Sequence, residues 1–294
     1  MTFPEIGEKG HGAFKIGVDP DQHFEDVLSK ELLQLSVKDR NHIQEETHGV
    51  RCMAVEETPR LVEDSLSKLV IELDENIPNA QKRAYLLSQQ RPASKAFVNS
   101  RDFRMRFLRC ELFDYKLAAE RVVRVCDSLL NLFGWYALER PVRLSDFSNA
   151  ELKVIRKGRI QPLPFRDRSG RRITVLFPGG DFLKKRLMSD QNSSARVLQI
   201  KIFMYMSWVY GTDVDEQRRG CVFMVWFDSK LQEASAVTDV TRIQSGTRSH
   251  SVSMIRSSAI HICSPDTPFF RMQRSILSLG VGPWRKRLKS HLGE

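Results

Sequence analysis

Two residues of this chain combine side-chain types and a spacing that could do chemistry: His261 and Cys263, in the run Ala259-Ile260-His261-Ile262-Cys263. On a strand, residues two apart share a face, and a thiol beside an imidazole can yield a nucleophilic thiolate. Side chains at that spacing are nevertheless displaced along the strand, and the flanking residues are apolar, so the pair reads as core structure. Gly179-Gly180 follows a strand-like run where a phosphate loop would stand, but neither GxxxxGK[ST] nor GxGxxG occurs. The other histidines (His11, His23, His42, His48, His250 and His291) form no HExxH or close ligand pair, and there is no GxSxG. The sequence therefore assigns no catalytic residue, no metal ligand and no cofactor, and the chain reads as a non-enzyme.

Charge gives a broader hint. The 294 residues hold 46 Lys and Arg against 36 Asp and Glu, a net charge of +10. Such an excess favours anionic surfaces, either nucleic acid or acidic lipid. Basic clusters stand at Lys184-Lys185-Arg186 and Arg285-Lys286-Arg287. Nucleic acid calls for aromatics interleaved with such clusters; Trp284 is the aromatic beside one, so no nucleic-acid partner is expected. Arg285, Lys286 and Arg287 are instead expected to dock on anionic membrane. The apolar run Val197 to Tyr210 is short and contains Lys201, so membrane contact is expected to be peripheral. Five cysteines without a CxxC indicate a reducing compartment, and MTFPEIGEKGHG lacks the apolar core of a signal peptide. The expected location is cytoplasmic, at membrane surfaces.

The elements that must position these residues change character at Ile160. Upstream the chain reads as helix. Residues 1–20 are a loose tail, and Phe24, Val27, Leu28, Leu32 and Leu35 then follow helical spacing. Ser36 and Thr58-Pro59 are helix starts, and a short helix covers Gln81 to Gln89. Arg101 to Phe133 is strongly helical, interrupted at Phe113-Asp114 and stopped by Gly134; Arg101, Arg104, Arg106 and Arg109 are expected on a solvated face. Pro162 and Pro164 limit any ladder through Ile160 to Pro164. Phe165 to Gly170 reads as a turn and Arg172 to Phe177 as a strand. A helix starts at Ser193 or Ser194 and runs to Tyr210. The unbroken apolar run Cys221 to Phe227 reads as a parallel strand covered on both faces. Ser229 to Ser257 is ambiguous, read as one long helix broken near Gly246. Ala259 to Cys263 is another strand, Thr267-Pro268 opens a helix to Leu279, and Trp284 to His291 is a last strand. Strand alternating with helix implies βαβ units and a mainly parallel sheet.

Three stretches together resemble a known family. FRMRFLRCELFDYKLAAERV (Phe103 to Val122) resembles the small helical domain that precedes a CRAL-TRIO lipid-binding domain. FRDRSGRRITVLF resembles that domain's opening strand pair, and MIRSSAIHICSPDTPFF (Met254 to Phe270) resembles its later strand and the helix that gates the lipid pocket. The resemblance runs from about Arg101 onward, in matching order. Helical spacing gives a helical region over 21–140, similar to the family's small helical domain from about Arg101, and the resemblance implies a lipid-binding α/β domain over 141–294, ending near the family's last strand without the usual closing segment. Phosphoinositide-transferring members carry Pro-Glu-Arg where this chain has Ser253, Met254 and Ile255, so the resemblance names no headgroup.

The fold expected is α/β: a helical N-terminal region, then a mixed, mainly parallel sheet with flanking helices enclosing a hydrophobic pocket. The function expected is non-enzymatic binding of a hydrophobic lipid, phospholipid or isoprenoid, for transfer or sensing; the alternative is a docking module without an exchangeable ligand. Phe223, Val225, Phe227, Ile260 and Ile262 are expected to line the pocket. Phe269, Phe270, Met272, Gln273, Ile276 and Leu277 are expected on a helical lid, with Gln273 reaching a polar group of the lipid.

Overall fold

The stretch after Ile160 folds as a hairpin. In a computed structural model describing residues 20–90, 97–177, 194–227, 253–271 and 282–293, β1 (Ile160–Arg166) pairs antiparallel with β2 (Arg172–Leu176). Both prolines lie within β1, and the register shifts between Pro162 and Arg166. β1 tolerates them because it is an edge strand, where a missing N–H leaves fewer bonds unmade. The turn closes on Asp167, whose carboxylate accepts from the N–H groups of Ser169 and Arg171. Gly170 sits at φ +74°, a conformation that side chains resist.

The sheet runs in chain order, β1 to β5, with β3 (Cys221–Trp226), β4 (Ser257–Pro265) and β5 (Leu288–Gly293) each parallel to its predecessor. The mixed, mainly parallel sheet is as expected. Its fifth strand starts later than the sequence suggests: Gly282–Arg287 is a 3-10 segment, so Arg285, Lys286 and Arg287 precede the ladder instead of alternating along it.

The helices start where their caps stand. Ser36 accepts from the Asp39 N–H to open α2 (Val37–Thr47), which follows α1 (Pro20–Leu33). Thr58, with Pro59 at the first position, opens α3 (Pro59–Ile71); α4 spans Arg83–Gln89. Ser100 caps α5 (Arg101–Cys110), and Asp114 caps α6 (Tyr115–Phe133), which Gly134 ends at φ +93°. Three short helices had no expectation: α7 (Tyr136–Glu139), α8 (Asn149–Ile155) and, after α9 (Ser194–Tyr210), α10 (Val214–Arg219).

α9 is the partition between two cores. Ile202 and Met204 join a helical core with Phe103, Phe107, Val122, Leu129 and Phe133. Phe203 and Tyr210 turn to the sheet. Lys201, which interrupts this apolar helix, bonds Glu151 of α8 at 2.6 Å and lies over the rings of Phe133 and Phe147. The expected solvated face of α5 is corrected in part. Arg101 is exposed, but Arg106 is buried: its guanidinium stacks 3.6 Å from the Trp208 ring and donates to the Trp208 carbonyl. Arg109 is held by Glu57 and Gln217. Stacking and ion pairing replace the water these two would otherwise keep.

Candidate functional site

The odd-numbered residues of β3 lie on one face of the sheet with their ladder partners. Phe223 sits between Thr174 and Ile260, and Val225 between Leu176 and Ile262. Leu288 of β5 extends the row beyond Ile260. Phe203 of α9 meets Phe223 with ring centroids 5.8 Å apart, and Phe227 meets Phe270 at 5.9 Å. Phe269 packs on Phe270 edge-on. The structure thus brings together Phe223, Val225, Phe227, Ile260, Ile262, Phe269 and Phe270, seven of the residues expected at a lipid site. Phe223, Phe227, Ile260, Ile262 and Phe270 are buried against one another and α9.

The start of the expected lid is present. Residues 268–271 are helical, and the Thr267 hydroxyl accepts from the Phe270 N–H. Met272, Gln273, Ile276 and Leu277 lie outside the described residues, as do Gly179-Gly180, Lys184 to Arg186 and the stretch 228–252. Beside Thr267, at the C-terminal ends of β4 and β5, Pro265, Asp266, Leu292 and Gly293 surround an open depression of about 390 Å³. A smaller cavity of about 10 Å³, room for about one water, lies in the helical core between Leu129, Phe133, Met204 and Trp208.

The membrane-docking expectation for Arg285 and Arg287 is corrected. Arg285 is buried and pairs with Glu31 of α1. Arg287 pairs with Glu46 of α2 and donates to the Ser258 carbonyl. Both guanidiniums are engaged inside the molecule, Arg287 sharing its carboxylate with Arg256, which leaves Lys286, half-buried, as the remaining cation of the cluster. Sequence reasoning missed the acid that organises this region. Glu46 is fully buried and accepts from Arg256 Nη1 at 2.7 and 2.8 Å, from Arg287, and from the Met53 N–H at 3.0 Å. Burial alone would raise its carboxyl; Arg256 and Arg287 outweigh that and hold it below the usual carboxylate range. No motif signals such a pair, because the partners are distant in sequence.

His261 and Cys263 share the opposite face of the sheet, as alternation requires, but form no thiolate pair. His261 bonds His291, and burial raises the Cys263 thiol, which keeps it protonated near neutral pH. Among the described residues there is no group of three or more His, Cys, Asp or Glu placed to hold a metal ion, and no helix long and apolar enough to cross a membrane. Comparison with protein-family models and with curated proteins finds no match to this chain.

Proposed function

We propose that the chain is a CRAL-TRIO-like protein that binds a hydrophobic lipid non-enzymatically, for transfer between membranes or for sensing. One observation carries the reading. The odd-numbered face of β3 is apolar from Phe223 to Phe227, and it leads toward the turn beside the depression at Thr267. Ligands of open α/β sheets favour the carboxyl ends of the strands, and a volume of about 390 Å³ lies within the range of small-molecule sites. Acyl chains entering there would displace the Phe270 turn from Phe227. Moving a chain from membrane to protein gains little hydrophobic free energy, so selectivity falls to shape and headgroup contacts. On this reading the protein is cytoplasmic and meets anionic membranes peripherally.

A specific observation favours the second reading, a docking module without an exchangeable ligand: Phe223, Phe227 and Phe270 already fill the space between sheet and helix with their own side chains. Native mass spectrometry of protein purified from cells separates the two. A lipid bound near one-to-one, lost in Phe227→Asp with folding intact by circular dichroism, supports lipid binding. An empty wild-type protein that co-purifies with a partner refutes it in favour of docking.

A further inference from the structure

The second face of the sheet has a different chemistry. The parallel registers align Met224 with His261 and Lys289, and Trp226 with Cys263 and His291. Trp226 is 51% exposed, Lys289 and His291 are exposed, and His261 is half-buried. The two imidazoles touch: His261 Nδ1 lies 2.8 Å from His291 Nε2, and the rings stack with centroids 5.0 Å apart. A hydrogen bond between two ring nitrogens needs one donor and one acceptor, so at this contact the pair shares one proton.

α2 ends beside this face. His48, its exposed C-cap residue, precedes Gly49, where a Cβ would lie 3.5 Å from Arg171 Nη2. Arg171 is 1% exposed. Its Nε and Nη2 hold Asp167, while Nη1 is buried with no hydrogen-bond partner. Asp167 is therefore already engaged, and among the described residues His48, His261, Lys289 and His291 pair with no carboxylate.

The groups on this face work against one another's charge. Burial, then His291, Arg171 and His48, push the His261 pKa down to about 4, opposed by a backbone bond to Thr47. Burial, Lys289 and His48 push His291 down as well. The carbonyl end of α2 offers only about half a negative charge, effective within its last turn. Asp167 meets the charge of Arg171, but among the described residues no carboxylate meets Lys289, and the helix end alone is too little to balance that ammonium and any proton gained by the three imidazoles.

We propose that this face binds a phosphate-type dianion, held by Lys289, His48, His261 and His291 over the buried guanidinium of Arg171. A phosphate monoester brings roughly −1.5 to −2 charges near neutral pH and three strong acceptor oxygens. It offers acceptors to the Lys289 ammonium and to imidazoles that gain protons as it binds. Trp226, on the same face, gives the ester group an aromatic surface. The same chemistry is available from a soluble phosphate ester or from a phosphatidic acid headgroup. The site lies on the opposite face from the lipid reading and does not depend on it.

The test is a histidine-ring NMR titration of the whole protein at constant ionic strength, with and without phenyl phosphate, and with acetate as control. Expected is an upward move of the His261 and His291 titrations by about one unit, equivalent to about tenfold tighter binding to the protonated pair. Acetate should move neither, and Lys289→Gln, at an exposed position, should abolish most of the shift. Sedimentation with phosphatidic acid vesicles assigns the source: vesicle binding lost in Lys289→Gln points to the headgroup, and a phenyl phosphate response without vesicle binding points to a soluble ester. Titrations unmoved by phenyl phosphate together with vesicle binding unaffected by Lys289→Gln, or equal shifts with acetate, would overturn the proposal.

Discussion

Glu46 Oε1 and Arg256 Nη1 meet at 2.7 Å although 210 residues separate them in the chain, and neither side chain is more than 4% exposed. The contact fastens α2 to the start of β4, and Arg287 adds the approach to β5. Breaking a buried pair by removing one partner leaves the other charge uncompensated, which costs about 3–5 kcal/mol. Glu46→Gln should lose about that much in urea unfolding. Glu63→Gln, whose pair with Arg101 is exposed and screened by solvent, should lose far less. Equal, small losses in both would show that the clamp carries no stability.

Acid should unfold the protein in two windows. His261 has a folded pKa of about 4, below its unfolded value near ~6.5. Between those values the unfolded chain binds the extra proton, so the stability His261 contributes, full above ~6.5, declines as pH falls toward 4. His291, lowered in the same direction, adds to this window. Glu46 is depressed below the ordinary carboxyl value, so its contribution is full above that value and is lost as pH falls from there through its folded pKa. Thermal melts in phosphate-free buffers should show both phases. His261→Gln should shrink the first, leaving the part due to His291, and leave the second; a first phase unchanged in that variant would assign it elsewhere.

Phe270 joins the turn after β4 to the sheet. It is 1% exposed and packs against Phe227 and Phe269. Phe270→Ala should destabilise by about 3–5 kcal/mol. Phe269→Ala, at a half-buried position, should cost less. A smaller loss at Phe270 than at Phe269 would show that the turn is not anchored through this ring.

Gly220 precedes β3 at φ +78°, and a Cβ there would stand 2.7 Å from the Arg256 carbonyl oxygen. Gly134 is also left-handed, at φ +93°, with open space around it. Gly134→Ala should cost roughly 1–3 kcal/mol of backbone strain alone, because its extended ψ at positive φ suits glycine almost exclusively. Gly220→Ala should cost clearly more, because β3 and the residue before β4 must part. Matching unfolding midpoints for the two variants would exclude that close approach.

What the sequence made legible was local. Ser36, Thr58 and Asp114 cap the helices they announce, because a cap depends on neighbours three residues away. The apolar runs of β3 and β4 found the sheet interior, although Trp226 leaves one face of β3 partly open. Seven of the expected lipid-site residues came together: alternation places those of β3 and β4 on one face, and Phe269 and Phe270 join them from the helical turn after β4. What escaped was set by tertiary partners. Arg285 and Arg287 look like a surface cluster until Glu31 and Glu46 arrive from far upstream. Arg106 looks solvated until Trp208 covers it. The His261–His291 contact required knowing that β4 and β5 are parallel and in what register.

The reach of Glu46 also sets a schedule for synthesis. At ~5–20 residues per second, the ribosome needs roughly 10–40 s after making Glu46 before it makes Arg256, 210 residues later. During that interval the α2 carboxylate has neither guanidinium to meet it. Residues 37–47 can coil, but their docking must wait for β4. The emerging chain therefore holds its first helices in reserve while the helical core around α6 assembles, and closes on them late. A stall or break in translation before Arg256 would release a nascent protein with α2 undocked, a form that pulse-labelled nascent chains should expose to proteases.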